Sequence, residues 1–234
     1  MPRLILICLL SMLTLSPAQP QLWIFQSEKL IDKGRDLTAL SVIPLLSFSK
    51  MDFGNPEDCI VYTGQAIALQ RCSGQLQEVL WESEKEWDVR EAIVADLNHD
   101  QSRELVMVVW RPYTPWPIDR FLPSGGRIQN FHDLSGMSCH LILVGWDGEK
   151  YRELWAGSAL KDPISHIRAA DLDGDGNQEL IALESQYDSD PNPGQITLWG
   201  WSGFGFRLQD RSDESFENYA LVSQGARTSL LTVY

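Results

Sequence analysis

"AADLDGDGNQELIAL", Ala169 to Leu183, sets Asp171, Asp173, Asp175, Asn177 and Glu179 at alternate positions between two strand-like runs. Four carboxylates in nine residues repel one another, so the turn needs solvent or a cation to be tolerated. A second segment, "VADLNHDQSRELVMV" (Val94 to Val108), matches it position for position, 75 residues earlier. Asp96, Asn98, Asp100, Ser102 and Glu104 stand where the five residues of the later segment stand.

The likeness extends outward. Trp81 precedes Asp96 by 15 residues and Trp155 precedes Asp171 by 16. Ahead of each tryptophan lies a turn, Cys72-Ser73-Gly74 or Trp146-Asp147-Gly148, and a third such turn is Trp201-Ser202-Gly203. Three copies of a four-strand unit follow: strand a ends at the acidic loop, b leaves it, and c and d form a hairpin around the glycine turn. The first copy is degenerate, with "MDFGNPEDCIVY" keeping only Asp52 and the Glu57/Asp58 pair. Helix-period stripes are absent, and β-branched and aromatic residues fill the runs, so the fold class is all-β. Repeated four-stranded antiparallel units read as propeller blades. Partial units at both ends, "QLWIF" and "ENYALVSQGARTSLLTVY", predict that N- and C-terminal strands share a blade, giving a small four-bladed ring.

Spacing separates the acidic loop from an EF-hand, which needs a bidentate Glu at position 12 and helices on both sides. Position 12 here is Ala182 or Met107, and the acidic closing residue falls at position 9, as Glu179 or Glu104. The nine-residue D-x-[DN]-x-D-G-x-x-[DE] loop between strands resembles the calcium loops of integrin α-subunit propellers and of FG-GAP/VCBS repeats. The resemblance covers roughly residues 40 to 210. It implies a calcium ion held by Asp171, Asp173, Asp175, Asn177 through its carbonyl, and Glu179, with Gly176 easing the turn. The set Asp96, Asn98, Asp100, Ser102 and Glu104 has one charge fewer and Gln101 in place of the glycine, so weaker binding, or none, is expected.

At 234 residues and net charge −13 the chain supports one sizeable domain and argues against nucleic acid and anionic membranes as partners. "MPRLILICLLSMLTLSPAQP" joins Arg3, an apolar run and small residues Ser16 and Ala18. It reads as a secretory signal over 1–18, too short for a membrane span, leaving a single domain at 19–234 that is secreted, periplasmic or extracellular. In an oxidising compartment Cys59 and Cys72, flanking two short strands around Thr63-Gly64, are placed for a disulfide; the alternative is three free buried thiols, Cys139 included.

No catalytic constellation is evident. The histidines are scattered, with His140 and His166 reading as strand residues, and no Gly-rich phosphate loop is present. The b-to-c connection of the second unit, Arg111 to Ser138, is long and carries Tyr113, Trp116, Arg120 and Phe121. These are residue types of binding hot spots, and the strand order puts this loop opposite the acidic loops. The alternative is a loop that caps the fold. The reading is thus an exported, non-catalytic, calcium-binding propeller whose partner is a protein or glycan. The competing reading is a carbohydrate-active enzyme or lectin, with Asp188, Asp190, Asp119 or Asp133 as acids.

Overall fold

The computed structural model describes residues 20–26, 29–34, 41–42, 57–72, 78–115, 131–188, 193–224 and 227–233. These form sixteen strands in four antiparallel sheets and no helix. No helix among them is therefore long and apolar enough to cross a membrane. The signal reading, Trp116, Arg120, Phe121, Asp119 and Asp190 lie outside the described residues.

The first sheet holds β4 (Asp58–Tyr62), β5 (Ile67–Arg71) and β6 (Glu78–Glu82). The second runs β7 (Asp88–Ala95), β8 (Glu104–Pro112), β9 (Met137–Trp146) and β10 (Tyr151–Ala156). The third runs β11 (Ile164–Ala170), β12 (Glu179–Glu184), β13 (Gly194–Trp201) and β14 (Phe206–Phe216). In the second and third sheets the four strands pair in chain order, as the repeat predicts. The c–d turns fall where the glycine motif puts them, with Gly148 at φ 104° and Gly203 at φ 84°. Asp147 Oδ1 accepts the N–H groups of Glu149 and Lys150 at 2.9 Å each, which fixes the first of these turns.

The remaining sheet is assembled from both ends of the chain, in the order β2 (Lys29–Gly34), β1 (Gln21–Gln26), β16 (Arg227–Val233), β15 (Asn218–Gln224) and β3 (Ser41–Val42). Gln21 pairs with Thr232 and Trp23 with Leu230. The expectation of four strands per sheet is corrected at two places. The terminal sheet has five strands because β3 adds two residues to the free edge of β15, and the first shows three among the described residues. "QLWIF" lies inside the terminal sheet, since β2 pairs beyond it.

Packing follows from the period of two along each strand. On β8, Leu105, Met107 and Val109 face the first sheet, while Val106, Val108 and Trp110 face the third. On β12, Leu180 and Ala182 face the second sheet, and Ile181 and Leu183 face the terminal one. A strand buried on both sides cannot alternate polar and apolar residues, which is why "ELVMVVW" and "ELIALE" read as continuous apolar runs. Three apolar layers therefore join the four sheets in series. Each fully buried Leu or Ile in them contributes about 1.5–3 kcal/mol. By the antiparallel order, the acidic loops and the glycine turns share one end of the strands. The b–c connections and the links between sheets share the other.

Candidate functional site

Both acidic loops are built by turn chemistry before any ion is considered. Asp171 accepts the N–H of Gly174 at 2.7 Å and of Gly176 at 3.0 Å; Asp173 accepts that of Asp175 at 3.0 Å. In the other copy Asp96 accepts the N–H of Asp100 at 3.2 Å and of Gln101 at 3.0 Å. The final glutamate folds back beneath each loop. Glu179 takes the N–H of Leu172 at 2.8 Å and Glu104 that of Leu97 at 3.2 Å.

The backbone needs two left-handed residues per loop, at positions 4 and 6. Gly174 and Gly176 supply them at φ 85° and 92°; His99 and Gln101 adopt the same conformation at φ 62° and 71°. Non-glycine residues there cost about 1–2 kcal/mol each. The sequence motif showed position 6, while the equivalent demand at position 4 becomes visible only in the fold.

Carboxylate oxygens of Asp171, Asp173 and Glu179 come within 4.8 Å of one another, as do those of Asp96, Asp100 and Glu104. The two copies thus differ: the middle member is position 3 in one and position 5 in the other. Asp175 turns instead to Asn177, accepting its N–H at 2.7 Å and its Nδ2–H at 3.1 Å, and those bonds hold its carboxyl below the usual range. Asn98 donates to Asp100 at 3.0 Å, and Ser102 gives its N–H to the same carboxylate at 2.8 Å.

Glu104 is 0% exposed and Glu179 4%, whereas most of the aspartates above them are open to solvent. Burial, with the nearby aspartate charges adding to it, pushes Glu104 up to about 8 and Glu179 up to about 7. Glu104 Oε1 is buried and has no hydrogen-bond partner. A buried carboxyl set among other carboxylates fits either a hard cation or a retained proton. The residues present therefore suit calcium.

In the degenerate first copy an acidic residue at the matching position has protein partners instead. Asp58 opens β4 where Glu104 opens β8 and Glu179 opens β12. Its carboxylate accepts the Tyr151 hydroxyl at 2.7 Å and lies 3.5 Å from Arg71 Nε. Beside it, Cys59 and Cys72 are bonded with Cα atoms 5.9 Å apart, and Cys72 N–H donates to the Glu57 carbonyl at 2.7 Å. Cys139 is a free, buried thiol.

At the opposite end of the second sheet lies a cleft of about 310 Å³, walled by Glu84, Trp87, Arg111, Tyr113 and His140 among others. Of the four long-loop residues singled out in the sequence, Tyr113 is the one among the described residues, and it lines this cleft. Asp133 and Asp188 are not. Asp133 Oδ1 caps its own turn through Ser135 and Met137, and Asp188 Oδ1 accepts the Leu134 N–H at 3.1 Å. These two acids of the competing enzyme reading are thus engaged elsewhere: Asp133 in its own turn, and Asp188 in a bond to the Leu134 main chain, 54 positions away.

The cleft wall contains one arrangement that residue spacing did not suggest. Ser138 Oγ–H donates to His140 Nε2 at 2.8 Å, and His140 Nδ1–H donates to the Gly157 carbonyl at 2.9 Å. The carbonyl can only accept, which fixes the tautomer. Such an order of atoms is that of an activated nucleophile. The surroundings oppose that use, because Ser138 is 0% exposed. Burial and the Arg111 charge also lower His140 to about 4, far from a useful base. The chain of bonds satisfies two buried groups and holds the wall rigid.

No protein-family model matches the chain, and no curated protein shows significant similarity to it.

Proposed function

We propose that the chain is an exported, non-catalytic calcium-binding module on a four-bladed β-propeller, with a protein or glycan as its partner. The reading of the sheets as blades is supported by their serial packing and by the shared terminal sheet, in which the first and last strands pair. Calcium would be structural, held by Asp171, Asp173 and Glu179 in one loop and by Asp96, Asp100 and Glu104 in the other. Its chemistry there is neutralisation: two positive charges offset carboxylates that burial and mutual repulsion otherwise disfavour.

The observation that carries this reading is the orphaned, fully buried Glu104 oxygen beneath a repeated aspartate turn. Folded protein would bind the ion and unfolded chain would not, so calcium raises the melting midpoint by mass action. The test is thermal melting in EGTA against millimolar calcium, with magnesium as a control. A midpoint unmoved by calcium would refute the metal assignment.

A second reading, a lectin or carbohydrate-active enzyme, is favoured by the cleft beside Trp87 and Arg111. Of its two forms the lectin fits better, because the Ser138–His140 pair is sealed from substrate.

A further inference from the structure

The cleft at the end of β8 and β9 is lined by groups of mixed chemistry. Arg111 and Thr114 supply donors, Glu84 and Glu86 supply acceptors, and Trp87 forms an apolar wall. Arg111 touches the His140 ring at 3.5 Å and lies 5.9 Å from the Trp87 ring, and it makes no ion pair among the described residues. The Glu84 and Glu86 carboxylates likewise have no ion-pair partner among those residues. Trp87 is almost wholly buried, yet its indole N–H has no acceptor. Ser138 and His140, by contrast, satisfy each other and Gly157, so they shape the wall and offer nothing to a ligand.

A ligand must suit all of these groups at once. A simple anion would meet Arg111 but also two glutamates, and Glu153 close behind them. Glu153 is raised by burial and by the Glu84 charge, with Arg111 opposing, which shows that these charges share one neighbourhood. A simple cation would meet the glutamates but also Arg111. Hydroxyl groups escape the conflict, because each donates to a carboxylate and accepts from a guanidinium. Vicinal hydroxyls on an otherwise apolar ring would also suit a Trp87 wall. The volume, about 310 Å³, lies at the small end of ligand sites.

We infer that this cleft binds a single neutral sugar residue, as the end of a glycan or as a free monosaccharide. Arg111 and Glu84 hold its hydroxyls, and Trp87 lines the apolar side. The inference deepens the glycan form of the reading above and rests on it.

The test uses the full mature chain with calcium present. Methyl glycosides of glucose, galactose, mannose, fucose and N-acetylglucosamine are offered at up to tens of millimolar, with glycine as a zwitterionic probe and acetate as an anionic one. Saturation-transfer NMR and tryptophan fluorescence read binding. At least one glycoside is expected to bind with a Kd of about 0.1–10 mM. The substitutions Arg111→Met and Glu84→Gln should each weaken it at least tenfold, with Thr114→Val as a milder variant should either of those fail to fold. Binding of glycine or acetate in place of sugars would overturn the inference, as would no binding at all or sugar binding untouched by all three substitutions. The calcium-dependent melting shift is measured on the same samples. If that shift persists while sugars fail, the sugar assignment falls alone; if both fail, the broader reading falls with it.

Discussion

Gln178 and Asp96 join the two acidic loops: the Asp96 main-chain N–H donates to Gln178 Oε1 at 2.9 Å. His99 Nε2 meets the carbonyl of the same glutamine at 3.1 Å. Gln178 immediately precedes Glu179, and Asp96 opens the other loop, so first and last positions of the two candidate sites are tied through one residue. An ion in either loop would fix a segment that the other also uses. If both loops hold calcium as proposed, Gln178→Ala, which removes the Asp96 contact but keeps the main-chain carbonyl that His99 meets, should weaken the coupling between the two binding events. Calorimetric titration is expected to show the second affinity moving toward its isolated value. Unchanged affinities in the variant would show that the contact is only structural.

A strain prediction separates the loops without calcium. Gln101 holds φ 71° on an exposed turn, and the contact found for it is made by its own N–H. Gln101→Gly should therefore stabilise the EGTA-treated protein by up to about 1 kcal/mol. Gly176→Ala should destabilise it by about 1 kcal/mol or more, since the alanine would have to adopt φ 92°. Urea midpoints with unchanged m-values would register both.

Glu91 on β7 binds across to β11, accepting the Ile167 N–H at 2.6 Å, His166 Nδ1–H at 2.8 Å and Arg168 Nη1–H at 2.8 Å. Removing it leaves the Ile167 main-chain donor without its partner and takes from Arg168 its carboxylate, though not its bond to the Ile167 carbonyl. Glu91→Ala should cost about 2–4 kcal/mol by chemical denaturation, and Glu91→Gln clearly less. Equal losses would mean that charge, rather than the Ile167 bond, carries the contact.

Acid should weaken the fold through His140. Its folded value lies near 4 and its ordinary one at 6.5, so the unfolded chain binds the extra proton first. The stabilisation is complete above pH 6.5 and is lost as pH falls from there toward 4, by at most about 3 kcal/mol. Other groups titrate in this range, so the comparison is between wild type and His140→Gln. The difference between their stability–pH curves should flatten below pH 4; parallel curves from pH 7 to 4 would remove His140 from the account.

The bond between Cys59 and Cys72 closes a segment with a sequence separation of 13. Loop-closure entropy puts its worth at about 3 kcal/mol. Peptide mapping without reduction should find the linked pair, and Cys59→Ser with Cys72→Ser should lower the midpoint in urea accordingly.

The duplicated segment made much of this legible in the sequence. It located both acidic loops, both buried glutamates and the hairpins after Trp146 and Trp201, because each depends on local periodicity and turn chemistry. β2 and β3 escaped notice because "KLIDKG" and two residues of "SV" carry no apolar alternation and exist only through pairing with distant strands. Asp58 was noticed as acidic, but its partner Tyr151 is 93 positions away, beyond any local signal. The cleft was hidden for the same reason. Glu84 comes from a link between sheets, Arg111 from the end of β8 and His140 from β9, and no spacing in one sequence joins them.

The pairing of Gln21 with Thr232, and the Trp23 Nε1–H bond to the Thr232 hydroxyl at 3.3 Å, has a kinetic meaning. Local hairpins can form as soon as their own residues exist, but the terminal sheet closes over more than two hundred intervening positions, and only after β16 has emerged. Closing that sheet carries the largest loop-closure cost of the pairings described. Until then, β1 presents an unpaired edge able to accept the β15–β16 hairpin of a neighbouring molecule. High concentration during refolding should accordingly favour exchanged dimers.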